Sequence, residues 1–378
     1  MDKYIEKYKN EVLLLNDYMA DNPEIGGEEV LASRGMVDLL RKYDIQVEYP
    51  FNNMDTAFRG IINPHMERKA AILVEYDALR GIGHGCGHCA SGSISILAAL
   101  VLNEIKNKIP AQIHIIGTPD EEMRGGKVPM VNDGVFNGFD FAIMIHMNNI
   151  NALYSQTLAL DAYEICFHGK PAHAASAPWE GRNALNAMRL FFDATDMMRQ
   201  HVKDDVRIHG YIQNGGDASN TVPHMSKAEV LVRAKERDYL DDVSRWVLDC
   251  AKAAALATRT TYEVKEVGEK YDGLKRNLPG ELQLKKIYED LNIPLVDISH
   301  LAGGSSDIGN VSSVCPAFHP YISIGEDYSV HTKEFAGAMK EEKTHQAILD
   351  GGKIISQFIV DMYYDAELLN EVKNYKDK

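Results

Sequence analysis

The 378-residue sequence predicts an α/β domain with a mostly parallel sheet, interrupted by an inserted α+β domain of two layers. Short apolar runs at 70–76 (AAILVEY), 111–117 (AQIHIIG) and 141–146 (FAIMIH) alternate with helical patterning, which is the rhythm of βαβ units. Between about 161 and 270 that rhythm gives way to strands paired with amphipathic helices, and after 271 it resumes. The expected division is a discontinuous domain over 1–160 and 271–378, with the insertion over 161–270.

Residues 4–19 carry apolar side chains at helical spacing and predict an opening helix. The run at 70–76 is short and almost wholly apolar, as a buried strand requires. Residues 91–105 are small and apolar with helical periodicity, and 111–117 and 141–146 supply a second and a third strand. In the insertion, 162–168 (AYEICFH) and 228–234 (AEVLVRA) predict strands, and 185–199 and 239–256 predict helices. Residues 320–325 (PYISIG) return to the strand pattern, and 343–364 predict a long final helix. No internal repeat or low-complexity segment interrupts this order.

With 45% hydrophobic and 8% aromatic residues, the chain can bury sizeable cores. A net charge of −15 argues against wholesale nucleic-acid binding. Five scattered cysteines do not make a secreted disulfide framework. The first ten residues are dense in charge, so no signal peptide is expected. No apolar run approaches the roughly 20 residues of a membrane span. The expectation is a cytoplasmic protein with neither a nucleic-acid nor a membrane partner.

Two motifs carry chemistry. One is GHGCGHC at 83–89, the other PDEEMRGG at 119–126. A thiol and an imidazole two residues apart (Cys86, His88), followed by adjacent carboxylates after the next strand (Glu121, Glu122), suit a metal site with its own general base. A divalent metal polarises an amide carbonyl and lowers the pKa of bound water to about 7. Asp77 follows the first strand and His146 closes the third. All these residues lie beyond carboxyl ends of strands, where open α/β sheets bind ligands. Taken singly, Glu121 and Glu122 also suit a solvated acidic turn, His146 a core histidine, and His331 a surface histidine. The tetrapeptide beginning at Cys86 occurs in thioredoxin-type oxidoreductases as well, but here Gly85 replaces the usual aromatic and the chain is far larger. A thiol hydrolase with Cys86 as nucleophile and His88 or His84 as base is a further reading.

Together the stretches EYDALRGIGHGCGHCASG (75–92), GTPDEEMRGGK (117–127), MIHM (144–147), GKPAHAASAPWEGRNAL (169–185), NGGDASNTVP (214–223), GSSDIGN (304–310), FHPYISIG (318–325) and HTKEF (331–335) resemble the metal-dependent amidohydrolase and metallopeptidase family of aminoacylases, hippurate hydrolase and aminobenzoyl-glutamate hydrolase. The 304–335 region is most similar to the aminobenzoyl-glutamate hydrolase-like branch. The resemblance implies two divalent metals per subunit, held by Cys86, His88, Glu122, His146 and His331. It implies Glu121 as the general base acting on metal-bound water, and Asp77 as support for the metal-binding loop. It also implies a dimerisation ("lid") domain inserted into the catalytic domain, and a homodimer or larger homo-oligomer. Within the lid, His173 matches a histidine that stabilises the oxyanion in a partner subunit's site, and Asn220 and Arg233 match positions that hold the substrate carboxylate. For Arg233, a strand salt bridge is the competing reading.

One position departs from the family pattern: Cys89 stands where Asp or Asn usually follows the histidine. A thiol hydrogen-bonds poorly, so metal affinity or preference is open. A thiolate ligand favours zinc, while carboxylates and imidazoles also suit manganese or cobalt. Cys86 and Cys89 together also offer a disulfide that removes a ligand. The expected activity is metal-dependent hydrolysis of the amide of an N-acyl amino acid or small peptide. The alternative is a non-catalytic or redox-regulated binding protein on the same fold.

Overall fold

The computed structural model describes residues 1–301 and 303–376. The chain forms two compact units, one of Met1–Gln156 with Leu274–Lys378, the other of Thr157–Gly273.

The first unit opens with helix α1 (Asp2–Asp21), which buries Ile5, Tyr8, Val12, Leu15 and Met19 along one face. Helix α2 (Val30–Lys42) precedes two strands with no sequence signal, β1 (Gln46–Glu48) and β2 (Phe58–Ile62). Then come β3 (Lys69–Val74), α3 (His88–Glu104), β4 (Gln112–Gly117), α4 (Lys127–Asn132) and β5 (Phe141–Ile143). The run expected as one strand over 141–146 is broken: β5 ends at Ile143, and β6 (His146–Asn148) belongs to a separate two-stranded sheet. Helix α3 is buried on every side from His88 to Leu102, which its small and apolar composition permits.

The second unit holds β7 (Ala159–His168), α5 (Ala184–Met198), β8 (Arg207–Asn214), β9 (Met225–Ala234), α6 (Arg237–Thr258) and β10 (Thr261–Glu266). Its four strands are antiparallel in the order β10-β7-β9-β8. Alternate residues of β7 and β9 are buried, and Ile165, Phe167, Val230 and Val232 join Phe191, Val243 and Val247 of the two helices in one core. This is a two-layer α+β arrangement. The Asn183 side chain caps α5 by accepting from the Asn186 N–H.

The chain returns to the first unit with α7 (Leu278–Asp290), α8 (Ile308–Val314), β11 (Ala317–Phe318), β12 (Tyr321–Ser323), α9 (Lys333–Gly337), α10 (Glu342–Tyr364) and α11 (Ala366–Asn374). The expected final helix is followed by another, because the Asp365 carboxylate accepts the Glu367 and Leu368 N–H groups and starts a new helix one residue later. Gly351 and Gly352 of α10 let it close on Ile94 and Leu97 of α3.

The main sheet has the order β1-β2-β4-β3-β5-β11. The pairings β3–β4, β3–β5 and β5–β11 are parallel, whereas β1–β2 and β2–β4 are antiparallel. The sheet is therefore mixed, with its antiparallel edge built from the two strands that periodicity did not disclose. Among the described residues no helix is long and apolar enough to cross a membrane.

Candidate metal centre

The carboxyl ends of the parallel strands converge on one cluster. Glu75 and Asp77 follow β3, Glu121 and Glu122 follow β4, His146 lies three residues beyond β5, and His319 follows β11. Cys86 ends the loop after β3, and His88 is the first residue of α3. Between them Gly87 takes a φ of 80°, and a Cβ there would come within 2.7 Å of Met147. Glycine is thus what lets the chain present Cys86 and His88 on the same side.

Two groups of three ligand atoms, each mutually within 4.8 Å, form around the Cys86 thiol. One is Cys86, His88 and His146; the other is Cys86, Glu122 and His331. Asp77 is fully buried and organises both. Its Oδ1 accepts from His88 Nδ1 at 2.8 Å, which turns His88 Nε2 toward the cluster. Its Oδ2 accepts from the Glu122 N–H at 2.9 Å, which fixes the second acidic loop. His146 Nδ1 donates to the Met147 carbonyl at 2.7 Å, so its Nε2 is the inward atom, 3.3 Å from His88 Nε2 and 3.4 Å from Cys86 Sγ. His331 has a φ of 66°, unusual for a non-glycine residue. Its N–H donates to the Gly85 carbonyl at 2.7 Å, and Thr332 caps α9 directly after it. These bonds hold the ring 3.7 Å from Glu122 Oε1.

Beneath this cluster lies a buried charge network that sequence reasoning missed. Lys127 is fully buried; its Nζ donates to Glu75 Oε1 and, at 2.7 Å, to Asp307 Oδ1. One oxygen each of Glu75, Glu121 and Asp307 lies within 4.8 Å of the others. Burial, with the Glu75 and Asp307 charges, pushes the Glu121 carboxyl well above the usual range. Burial opposes ionisation of Glu75 too, but the Lys127 ammonium and neighbouring imidazoles prevail and hold it low. Burial and the nearby His319 and His88 pull His146 down to about 3, which keeps it neutral as a ligand must be. The rule that placed Glu121 and His146 beyond strand ends applies equally to Glu75 and His319, and both lie within quoted motifs.

Soft sulfur, imidazole and carboxylate donors suit divalent zinc or manganese. Glu122 Oε1 and Glu75 Oε2 are buried without a hydrogen-bond partner, which a pair of cations would satisfy. Cys89 is fully buried in the main apolar core, and burial pushes its thiol up to about 12. Cys86 and Cys89 are both free thiols.

Glu29, at the N-terminal edge of α2, braces the second acidic loop: its Oε1 accepts from the Asp120 N–H at 2.7 Å and its Oε2 from the Thr56 hydroxyl at 3.0 Å. Burial pushes its carboxyl up to about 7. A carboxyl raised in the folded state favours folding below its unfolded pKa and loses that contribution as pH rises to the folded one. Glu29→Gln is therefore expected to flatten the fall in Tm between pH 5 and 7, a difference on the order of 3 kcal/mol at about 1.4 kcal/mol per unit. Parallel melting curves across that range check it; equal slopes would remove Glu29 as the source.

His173, Asn220 and Arg233 belong to the second unit. His173 is exposed, and its Nδ1 accepts from the N–H groups of Ala175 and Ser176 at 3.3 and 3.2 Å, which leaves the ring proton on Nε2. The Asn220 carbonyl accepts from the Ala174 N–H at 2.9 Å, tying the two segments together. Arg233 lies on β9; among the described residues it has no ion pair, and its Nε is buried without a hydrogen bond.

The profile of peptidase family M20/M25/M40 matches residues 65–359. The chain belongs to that family. The human Xaa-Arg dipeptidase is 31% identical over 374 residues, 93% of this chain and 85% of its own length. A p-aminobenzoyl-glutamate hydrolase chain of Escherichia coli K12 is 29% identical over 286 residues, 70% of this chain and 59% of its own length. Among solved structures, the Bacillus subtilis YxeP protein, described as a dinuclear metal-binding M20 peptidase, superposes with a TM-score of 0.68 at 16% identity, covering 93% of this chain and 99% of that one. This M20 chain is a metal-dependent amidohydrolase or peptidase. The non-catalytic reading finds no support in this company.

Proposed function

We propose that this M20 protein hydrolyses the amide bond of dipeptides or N-acyl amino acids at a two-metal centre held by Cys86, His88, His146, Glu122 and His331. The observation that carries the reading is the pair of ligand triads sharing Cys86, with Glu121 beside the residues that complete them. When bound, the metal ions supply Lewis acidity toward the scissile carbonyl and the attacking water. Glu121 takes the proton of that water and passes it to the leaving amine. Its raised affinity for a proton suits both transfers. Asp77 is a positioning residue, fixing the His88 ring and the Glu122 backbone. Zinc and manganese are the candidate metals.

In the proposed catalytic cycle, the Thr157–Gly273 unit acts as lid and dimerisation domain of a cytoplasmic homodimer or larger homo-oligomer. The His173 Nε2–H, set by the backbone bonds to Nδ1, is the oxyanion donor to the partner subunit's site. Arg233, with an unpaired Nε, and Asn220 hold the substrate carboxylate. His173→Ala is expected to lower kcat by about 10² to 10³ with metal content unchanged. Steady-state kinetics beside metal analysis check this, and a loss confined to KM would contradict the oxyanion role.

Substrate choice is tested by amine release from Xaa-Arg dipeptides, p-aminobenzoyl-glutamate and N-acyl amino acids. The human relative's name favours the first group, and its match spans more of the chain than that of the p-aminobenzoyl-glutamate hydrolase. Chelator-sensitive turnover is the expected result. Turnover that resists chelator but yields to thiol alkylation would favour Cys86 as a nucleophile instead.

A further inference from the structure

Three potential ligand atoms face one another in the deepest part of the site. The His88 Nδ1 bonds to Asp77 and the His146 Nδ1 to the Met147 carbonyl, so each Nε2 points inward. These atoms are 3.3 Å apart. Glu75 Oε2 lies 3.4 Å from His88 Nε2 and has no hydrogen-bond partner, although Glu75 is only 1% exposed. Such contacts need a positive charge among them, a proton on His88 or a metal cation in its place.

The Glu75 carboxylate cannot simply turn away. Lys127 holds its other oxygen, and Asp307 anchors Lys127 through both its ammonium and its backbone N–H. Donors bonded at about 2.0–2.3 Å to a tetrahedral ion stand roughly 3.3–3.7 Å apart. Cys86 Sγ to His146 Nε2 (3.4 Å), His146 to His88 (3.3 Å) and His88 to Glu75 (3.4 Å) form a chain of three such edges. The second triad differs: its His331 side chain is 54% exposed.

We infer that Glu75, presented through Oε2 by Lys127, is a fourth protein ligand at the Cys86–His88–His146 position, so that this position is closed and retentive while the Cys86–Glu122–His331 position is open and exchangeable. The inference rests on the two-metal reading above. It assigns the two ions different tasks: the deep one is held as part of the fold, and the outer one comes and goes with solution metal. His319, buried with both ring nitrogens unpartnered and grouped with Glu75 and His146, is a neighbour placed to compete for that ligand role.

The test counts ions by mass spectrometry during dialysis of zinc-loaded protein against increasing chelator, without substrate. Wild-type protein is expected to lose one ion early and the other only at tenfold or more higher chelator. Glu75→Gln, which keeps an oxygen for Lys127, is expected to release the retained ion at least tenfold sooner, while His319→Asn leaves it in place. Simultaneous loss of both ions from wild type, wild-type retention in Glu75→Gln, or loss in His319→Asn alone each overturns the assignment. Should Glu75→Gln fail to fold, wild type given one equivalent of cobalt decides: intense four-coordinate visible bands support a closed site, and weak six-coordinate bands overturn it. One-step release from an active enzyme sinks this inference alone, and two-step release from an inactive protein sinks the proposed function alone.

Discussion

Glu121→Gln is expected to retain both ions and to lose about 10² to 10⁴ in kcat, the usual range for general acid–base catalysis. The substitution keeps the shape of the side chain and removes its ability to take a proton. Its neighbour Glu122, in the outer ligand triad, is untouched, so metal analysis and activity should separate cleanly. The pH profile adds a second readout. Burial, with the Glu75 and Asp307 charges, raises the Glu121 carboxyl, and a base works only when deprotonated. Activity should therefore fall toward acid along a limb lying above the ordinary glutamate pKa of about 4.3. In the variant the residual rate should lack that limb. Near-normal turnover, or a parallel loss of metal, would take Glu121 out of proton transfer.

The sequence was most informative where periodicity and chemistry coincide. The parallel strands β3 and β4 are short and apolar, and Asp77 and Glu121 lie within a few residues of their ends, so the sheet and these residues at its carboxyl edge could be read together. The strands β1 and β8 escaped because each is largely exposed and carries no buried alternation. Glu75 escaped for the opposite reason: it extends an apolar run and reads as part of a buried strand, and only Lys127 and Asp307, distant in sequence, explain a charge there. His319 was likewise concealed in a strand-like motif. The break between β5 and β6 has a local cause: the Met144 and His146 N–H groups bond to the carbonyls of Phe318 and Pro320, and β6 pairs with β12 in the separate sheet. Cys89 looked chemical beside Cys86, yet its side chain belongs to the core.

Removing the thiol at position 86 should be the most damaging single change to the centre. Cys86 is the one residue common to both ligand triads, so Cys86→Ala opens both positions at once, whereas His331→Ala opens only the outer one. The expected result is a loss of activity of about 10³-fold or more, on the scale of several kcal/mol of Lewis-acid stabilisation, together with weakened retention of both ions. His331→Ala should weaken one ion alone. Cys89→Ser is the matching control: a hydroxyl forced into an apolar core costs about 1–3 kcal/mol of stability but should leave the metal count intact. The same variant tests the redox alternative, since a switch through Cys86 and Cys89 requires that Cys89→Ser resist mild oxidants. If it is inactivated as readily and reversibly as wild type, the pair is no switch. If alanine at 86 keeps two ions and normal turnover, the shared thiolate is not the hinge of the metal centre, and the two triads must be completed by some other donor.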